Sequence, residues 1–340
     1  MASATSRGQV WSLTSVGVVR ASRRRLAQGA VAGAAAAAGS AGAGWAAWNF
    51  LTGQARAARS VIPHRTDNAP NGDGLYEPGG IGPSPVSRTT SADIHLMVFG
   101  DSTAAGLGVD LPTLTPGAQL ARKLADHLEQ RVRLSTKAIV GATSRGLEGQ
   151  VDAMLVAGPR PDVALILVGA NDVTALHHIR PSARRLGDAV ARLHEAGCAV
   201  VVGTCPDLGV VTAIPQPLRA VIRQYSLRLA AAQSQQVRTH GGRPVPLAEL
   251  LADQFRAAPE RMFSADNYHP SAVGYEAAAD TLLPDTLAAI GAWGEQPLPQ
   301  PPITSDLIDD SRWVTRLRKR FTRAPAHNDR ESAPARSTQP

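Results

Sequence analysis

The chain predicts a three-layer α/β/α sandwich, with helices covering both faces of a central parallel sheet of about five strands. Three observations carry this expectation. Strand-like and helix-like segments alternate from residue 94 to residue 292. The run Val163-Ala-Leu-Ile-Leu-Val168 is apolar on both faces, as a central parallel strand must be. Glycine-led turns, Gly100-Asp101-Ser102, Gly141-Ala142-Thr143-Ser144 and Gly169-Ala170-Asn171-Asp172, follow three of the strand segments. In doubly wound sheets with right-handed crossovers, ligands bind at those carboxyl ends.

In order, residues 1–25 are polar and basic and end in Arg23-Arg24-Arg25. The next 30 residues, 26–55, carry no charge. As a helix they would span ~45 Å, enough to cross a bilayer, and Trp45, Trp48, Phe50 and Leu51 gather at the far end as an interfacial anchor would. This reads as a signal anchor; the competing reading is a signal peptide cleaved near Gln54-Ala55-Arg56-Ala57. Either places the following domain outside the cytoplasm, because the basic residues stay inside. Residues 56–92, rich in Pro, Gly, Asn and Ser, read as a flexible linker.

The periodic region, 93–293, is read as one catalytic domain. Its strands are expected at 94–99, 132–140, 163–168, 199–204 and, more weakly, 243–247; its helices at 114–130, 145–156, 181–196, 217–238 and 271–292. Beyond it, 294–340 form a Pro-rich, basic tail. Within the tail, residues 311–323 read either as a basic amphipathic segment for an anionic membrane or as a solvated charge run.

Charge narrows the function. The total of +7 invites a nucleic-acid reading. Yet residues 1–60 hold seven Arg and no acid, and 294–340 hold eight bases and six acids. Removing those excesses of seven and two leaves −2 for 61–293, so the folded part offers no basic footprint and nucleic acid is excluded as a partner. Cys198 and Cys205 sit along one extended segment of ~23 Å, beyond disulfide reach, and read as free thiols.

The chemistry is concentrated in four stretches: Gly100-Asp101-Ser102-Thr103, Gly141-Ala142-Thr143-Ser144, Gly169-Ala170-Asn171-Asp172 and Asp266-Asn267-Tyr268-His269-Pro270. A strand ending in Gly-Asp-Ser leaves a hydroxyl on a sharp turn, a common placement for a nucleophile. In this order and spacing the four stretches resemble the SGNH branch of the GDSL hydrolases, over residues 94–290. Thr103 stands where that family usually has Leu, a departure that touches no chemical group. The stretch GDSTAAGLG is similar to the nucleophile turn of membrane-anchored SGNH esterases of actinobacteria. The resemblance implies a flavodoxin-like fold and a serine esterase. Ser102 would be the nucleophile, His269 the general base and Asp266 the residue that orients it. The oxyanion donors would be the backbone N–H groups of Ser102 and Gly141 and the amide of Asn171. It implies no cofactor and no metal, with a small or lipid ester as substrate.

Singly, each residue has an ordinary explanation: Ser102 as a helix cap, Asn171 and Asp172 as an Asx turn, His269 as a loop residue. Asp101 and Asp172 read as turn and loop braces. Adjacent His177 and His178 point to different helix faces, and no group has zinc spacing. Gly100, Gly106 and Gly108 match neither a P-loop nor GxGxxG, which weakens a phosphate-binding reading. A silent, membrane-tethered binding protein of the same fold would not need the intact Ser102, Asp266 and His269 set. Among esters, acyl substrates of short to medium chain compete with O-acetyl groups on envelope glycans. An aromatic content of 4% offers no evident sugar-stacking platform and tilts the reading toward acyl esters.

Overall fold

Burial on both faces shapes the central strands. In the computed structural model, which describes residues 69–87 and 91–298 and the isolated positions Asn49 and Gly53, strands β2 (Ile94–Gly100), β4 (Val163–Leu167) and β5 (Ala199–Gly203) are buried almost throughout. Alternation is absent from them because both sides meet helices. Met97, Phe99, Ala164, Ile166, Val200 and Val202 project to one face and join a core with Leu147, Val151, Leu186, Val190 and Val237. These last five belong to α3 (Leu147–Ala157), α5 (Ile179–Glu195) and α6 (Leu218–Thr239). The opposite face carries α2 (Pro116–Leu128), α7 (Leu247–Ala257) and α9 (Ala272–Ala289), which pack side by side. Gly117 of α2 lies so close to that face that an added Cβ would sit 3.1 Å from Val98 and 3.2 Å from Leu134.

With β1 (Gly74–Tyr76), β3 (Val132–Thr136) and β6 (Arg243–Val245), the sheet has six strands in the order β1-β3-β2-β4-β5-β6. All neighbours are parallel except β1 and β3. From β2 the chain steps outward to β3 and then crosses to β4 on the other side. The carboxyl ends of β2 and β4 therefore meet at a topological switch point.

The expected parallel sheet gains one edge strand, which comes from residues 69–87, within the stretch read as linker. Leu75 and Tyr76 are buried, β1 pairs antiparallel with β3, and the Tyr76 hydroxyl donates to the Gly72 carbonyl at 2.7 Å. A three-residue edge strand between Gly and Pro clusters is too short to display a period. The strand expected to reach residue 140 ends at Thr136, although Lys137 and Ile139 still donate backbone N–H bonds to Val98 and Gly100. The strand expected to reach 247 ends at Val245, and Leu247 opens a helix.

The readings placed on 1–25, on nearly all of 26–55, on 56–68 and on 299–340 fall outside the described residues. Among the described residues no helix is long and apolar enough to cross a membrane.

Tyr76 is 2% exposed and fills the edge between β1 and the sheet. Tyr76→Ala should cost about 3 kcal/mol, read as a lower urea midpoint with an unchanged slope. A chain beginning at residue 93 should likewise unfold at lower urea than one beginning at residue 69. Equal midpoints would show that β1 contributes nothing.

Candidate active site

The Gly100-Asp101-Ser102 turn begins with a close approach. Gly100 has φ +135°, and a Cβ there would lie 1.8 Å from the Leu167 carbonyl oxygen. Only glycine lets β2 end this near to β4. The Asp101 N–H then donates to that same Leu167 oxygen at 3.1 Å. Asp101 caps the short helix α1 (Ser102–Ala105), its Oδ1 accepting from the Thr103 N–H at 2.9 Å. Ser102 is therefore the first residue of a helix, and its own N–H has no intrahelical acceptor. From α3, the buried Gln150 side chain accepts from the Gly100 N–H and donates to the Gly100 carbonyl, both at 2.8 Å.

The second part is the loop between α8 (Pro259–Met262) and α9. The Ser264 N–H donates to the His269 carbonyl at 2.8 Å, and Phe263 bridges Pro270, closing the loop on itself. Asn267 takes φ +55° at its tip, a conformation Asn tolerates. Asp266 Oδ1 accepts from Ser264 Oγ (2.7 Å), the Tyr268 N–H (2.9 Å) and the His269 N–H (2.8 Å). Its Oδ2 lies 2.6 Å from His269 Nδ1. Burial alone would push this carboxyl up. The bonds from His269, Ser264 and the two backbone N–H groups outweigh it and hold Asp266 well below the usual carboxylate range. An ionised Asp266 makes Nδ1 the protonated ring nitrogen. Nε2 is left to accept from Ser102 Oγ, 2.9 Å away. Gly108 seats this histidine: a Cβ there would meet the Pro270 carbonyl at 2.6 Å and His269 Cβ at 2.9 Å.

Gly141 and Asn171 approach from β3 and β4. Asn171 lies in α4 (Ala170–Thr174), and its Nδ2 donates to the Ala142 carbonyl at 2.8 Å. That bond uses one amide hydrogen and leaves the second free to donate elsewhere. Gly141 is exposed at φ +81°, with open space where a Cβ would be. The glycine is there for its backbone angle, which turns the loop past the end of β3.

The structure thus brings Ser102, His269 and Asp266 into one hydrogen-bonded line and ties the Gly141 loop to Asn171. Asp172 is 1% exposed and accepts from the Ser144 N–H, Ser144 Oγ and Ser182 Oγ. Gln150 and Gln233 are buried clamps that sequence reading missed. Gln233 donates to the Val168 carbonyl (3.0 Å) and accepts from the Cys205 N–H (2.8 Å). Their one visible signal is a polar residue on an apolar helix face, such as Gln150 beside Leu147, Val151 and Met154. Burial pushes the Cys205 thiol well up, opposite to what a nucleophilic cysteine needs.

The model of the GDSL-like lipase/acylhydrolase family matches residues 98–277. The GDSL-like esterase Rv1075c of Mycobacterium tuberculosis is 58% identical over 237 residues, covering 70% of this chain and 76% of that protein. Two solved structures are similar at lower identity. TesA is 23% identical with a TM-score of 0.47, over 58% of this chain and 99% of that one. The psychrotrophic esterase EstA from Pseudoalteromonas sp. is 19% identical with a TM-score of 0.47, over 58% and 97%.

Asp101 generates a prediction of its own. Burial, opposed by the N–H groups of Thr103 and Gly169, pushes its carboxyl from the ordinary 3.8 up to about 6. A folded-state value above the unfolded one means that the fold binds a proton more tightly. The stability this contributes is full below pH 3.8 and is lost as pH rises through about 6. Asp101→Asn removes that titration. Denaturant midpoints should show wild type losing ground to the variant between pH 4 and 6, and Asp266, whose shift runs the other way, acts below this window. Parallel curves would refute the buried, proton-binding state of Asp101.

Proposed function

The chain belongs to the GDSL-like lipase/acylhydrolase family and is a carboxylic ester hydrolase; from that premise we propose that it cleaves short- to medium-chain acyl esters through an acyl-enzyme on Ser102. The observation that carries this reading is the line Ser102 Oγ, His269 Nε2 at 2.9 Å, His269 Nδ1, Asp266 Oδ2 at 2.6 Å. As Oγ attacks the ester carbonyl carbon, its proton passes to Nε2. The new imidazolium lies against Asp266, whose charge is held by its own donors. The carbonyl oxygen becomes an anion among the N–H groups of Ser102 and Gly141 and the second amide hydrogen of Asn171. Collapse breaks the bond to the alkoxide, which takes the proton from His269 and leaves as alcohol. Water then repeats the sequence on the acyl-enzyme, giving back Ser102 and a carboxylic acid.

The surroundings support an acyl rather than a glycan substrate. Ile139, Val140 and Leu176, beside the two donor loops, are exposed aliphatic side chains. Next to the nucleophile turn lies an apolar recess of about 90 Å³, bounded among others by Thr103, Ala170, Leu208, Val211, Phe263 and Tyr268. Such predominantly apolar surfaces remove acyl methylenes from water, a gain a sugar hydroxyl does not share. The uncharged run 26–55 behind Arg23-Arg24-Arg25 supports an extracytoplasmic location, tethered or released.

Turnover of p-nitrophenyl esters of rising acyl length should peak at short to medium chains and vanish in Ser102→Ala. An enzyme that releases acetate from acetylated glycans yet leaves butyrate and hexanoate esters intact would overturn the acyl reading. Asn171→Ala should lower kcat ~100-fold with KM little changed, as loss of one oxyanion donor does. Asn171→Asp should be worse, because a carboxylate repels both the oxyanion and the Ala142 carbonyl. Near-normal turnover of Asn171→Asp would remove Asn171 from the mechanism. Protease added to intact cells should reach the domain; full protection would refute the extracytoplasmic location.

A further inference from the structure

We propose that Asp172 is the positioning residue of the oxyanion site, fixing the loop that carries the Gly141 N–H against the helix that carries the Asn171 amide. The inference rests on the roles of Gly141 and Asn171 proposed above. Gly141 is exposed, at φ +81°, with open space where a Cβ would be, so no side chain of its own holds it in place. Within its own turn the loop is held by one backbone bond, Ala142 N–H to the Ile139 carbonyl at 3.0 Å. Before Gly141 the loop is tied to β2 by the Ile139 N–H on the Gly100 carbonyl at 3.1 Å; after it, the ties to another element come from two consecutive residues of α4. Asn171 takes the Ala142 carbonyl, and Asp172 takes Ser144 at two points, the N–H on Oδ2 and Oγ on Oδ1, each at 2.8 Å.

Asp172 is itself anchored from behind. Ser182 Oγ, on the 17-residue helix α5, donates to its Oδ1 at 2.7 Å, and His177 Nδ1 lies 3.4 Å from the same oxygen. The His177 N–H returns to the Asp172 carbonyl at 2.9 Å. The carboxylate touches none of the atoms that react with the ester; it acts through Ser144 and the loop behind Gly141. Its dense set of donors in a buried place costs little to keep and much to break, because removing the acceptor strands the Ser144 N–H. With Asn171 and Asp172 adjacent on one helical turn, any shift of α4 moves both donors together. The distance between them stays matched to a single oxyanion.

The test compares Asp172→Ala, Asp172→Asn and Ser144→Ala with wild type in the full chain, using a p-nitrophenyl ester and a thermal melt to check folding. Asp172→Ala should lower kcat ~30-fold with KM within about threefold, since a displaced donor loses most of what a deleted one loses. Asp172→Asn should recover most of that loss. Its amide oxygen still accepts from the Ser144 N–H, and the Ser144 and Ser182 hydroxyls rotate to accept from its NH₂. Ser144→Ala should cost about fivefold in kcat, because one of the two grips remains. Should Asp172→Ala not accumulate as folded protein, the other two variants decide.

A folded Asp172→Ala with near-normal kcat, a Ser144→Ala indistinguishable from wild type, or a loss appearing only in KM would overturn the proposal. An Asp172→Asn enzyme as slow as Asp172→Ala would do so too, since it would assign Asp172 a charge or proton role. Residual full activity in Ser102→Ala would instead refute the mechanism proposed for the site, a separate failure.

Discussion

The site depends on how closely the end of β2 approaches the end of β4. With 1.8 Å between the Leu167 carbonyl oxygen and any Cβ at residue 100, a side chain there would drive the two central strands apart. Every later placement follows from that contact. The Leu167 oxygen receives the Asp101 N–H, Asp101 caps α1, and α1 presents Ser102 with an unused N–H beside its hydroxyl. Because β2 and β4 are neighbours at the switch point, Asn171, four residues beyond Leu167 in α4, comes close to the turn that follows Gly100. A parallel sheet thus turns a backbone contact into the spacing between Ser102 and Asn171, the nucleophile and the amide donor proposed above.

Around this contact the protein uses buried, fully partnered polar side chains where an apolar residue would otherwise pack. Gln150 holds both backbone groups of Gly100, Gln233 joins Val168 to Cys205, and Asp172 joins α4 to Ser144. Irregular backbone at the ends of strands has no ladder partners, and each stranded N–H or C=O in such a place would cost about 1–3 kcal/mol. A long amide side chain that donates and accepts at once satisfies one backbone N–H and one backbone C=O together. Loops held this way sit on rigid helices and strands, as the proposed oxyanion site would require.

The parts legible in the sequence and those that were not differ in one physical respect. Val163–Leu167 shows its character as an unbroken apolar run and α5 as a helical period, each sustained over several residues. β1, by contrast, is three residues long, and its pairing with β3 is fixed by residues nearly sixty positions away. The helix Leu247–Ala257 does carry a period, with Leu247, Ala248, Leu251, Ala252 and Phe255 on its buried side. It was hidden because its first residue reads equally well as the end of the preceding strand. Gln150 and Gln233 left almost no trace, since an isolated glutamine on a helix looks the same whether it meets water or a backbone clamp.

The central parallel strands, the order of their chemical cargo and the family are legible along the chain, because these rest on local apolar runs and helical periods and on short stretches whose residue types are chemically distinctive. Gly-Asp-Ser, the Gly-Ala-Asn-Asp turn and Asp-Asn-Tyr-His could be read as one set without knowing where any of them lay. Only the tertiary structure decided the distances: that Ser102 Oγ stands 2.9 Å from a histidine 167 residues away, and that Asp266 spends both oxygens orienting it. It also decided that Asp172 faces inward onto Ser144. Such contacts are set by strand order and by close approach at glycine, which are properties of the packed whole and have no period along the chain.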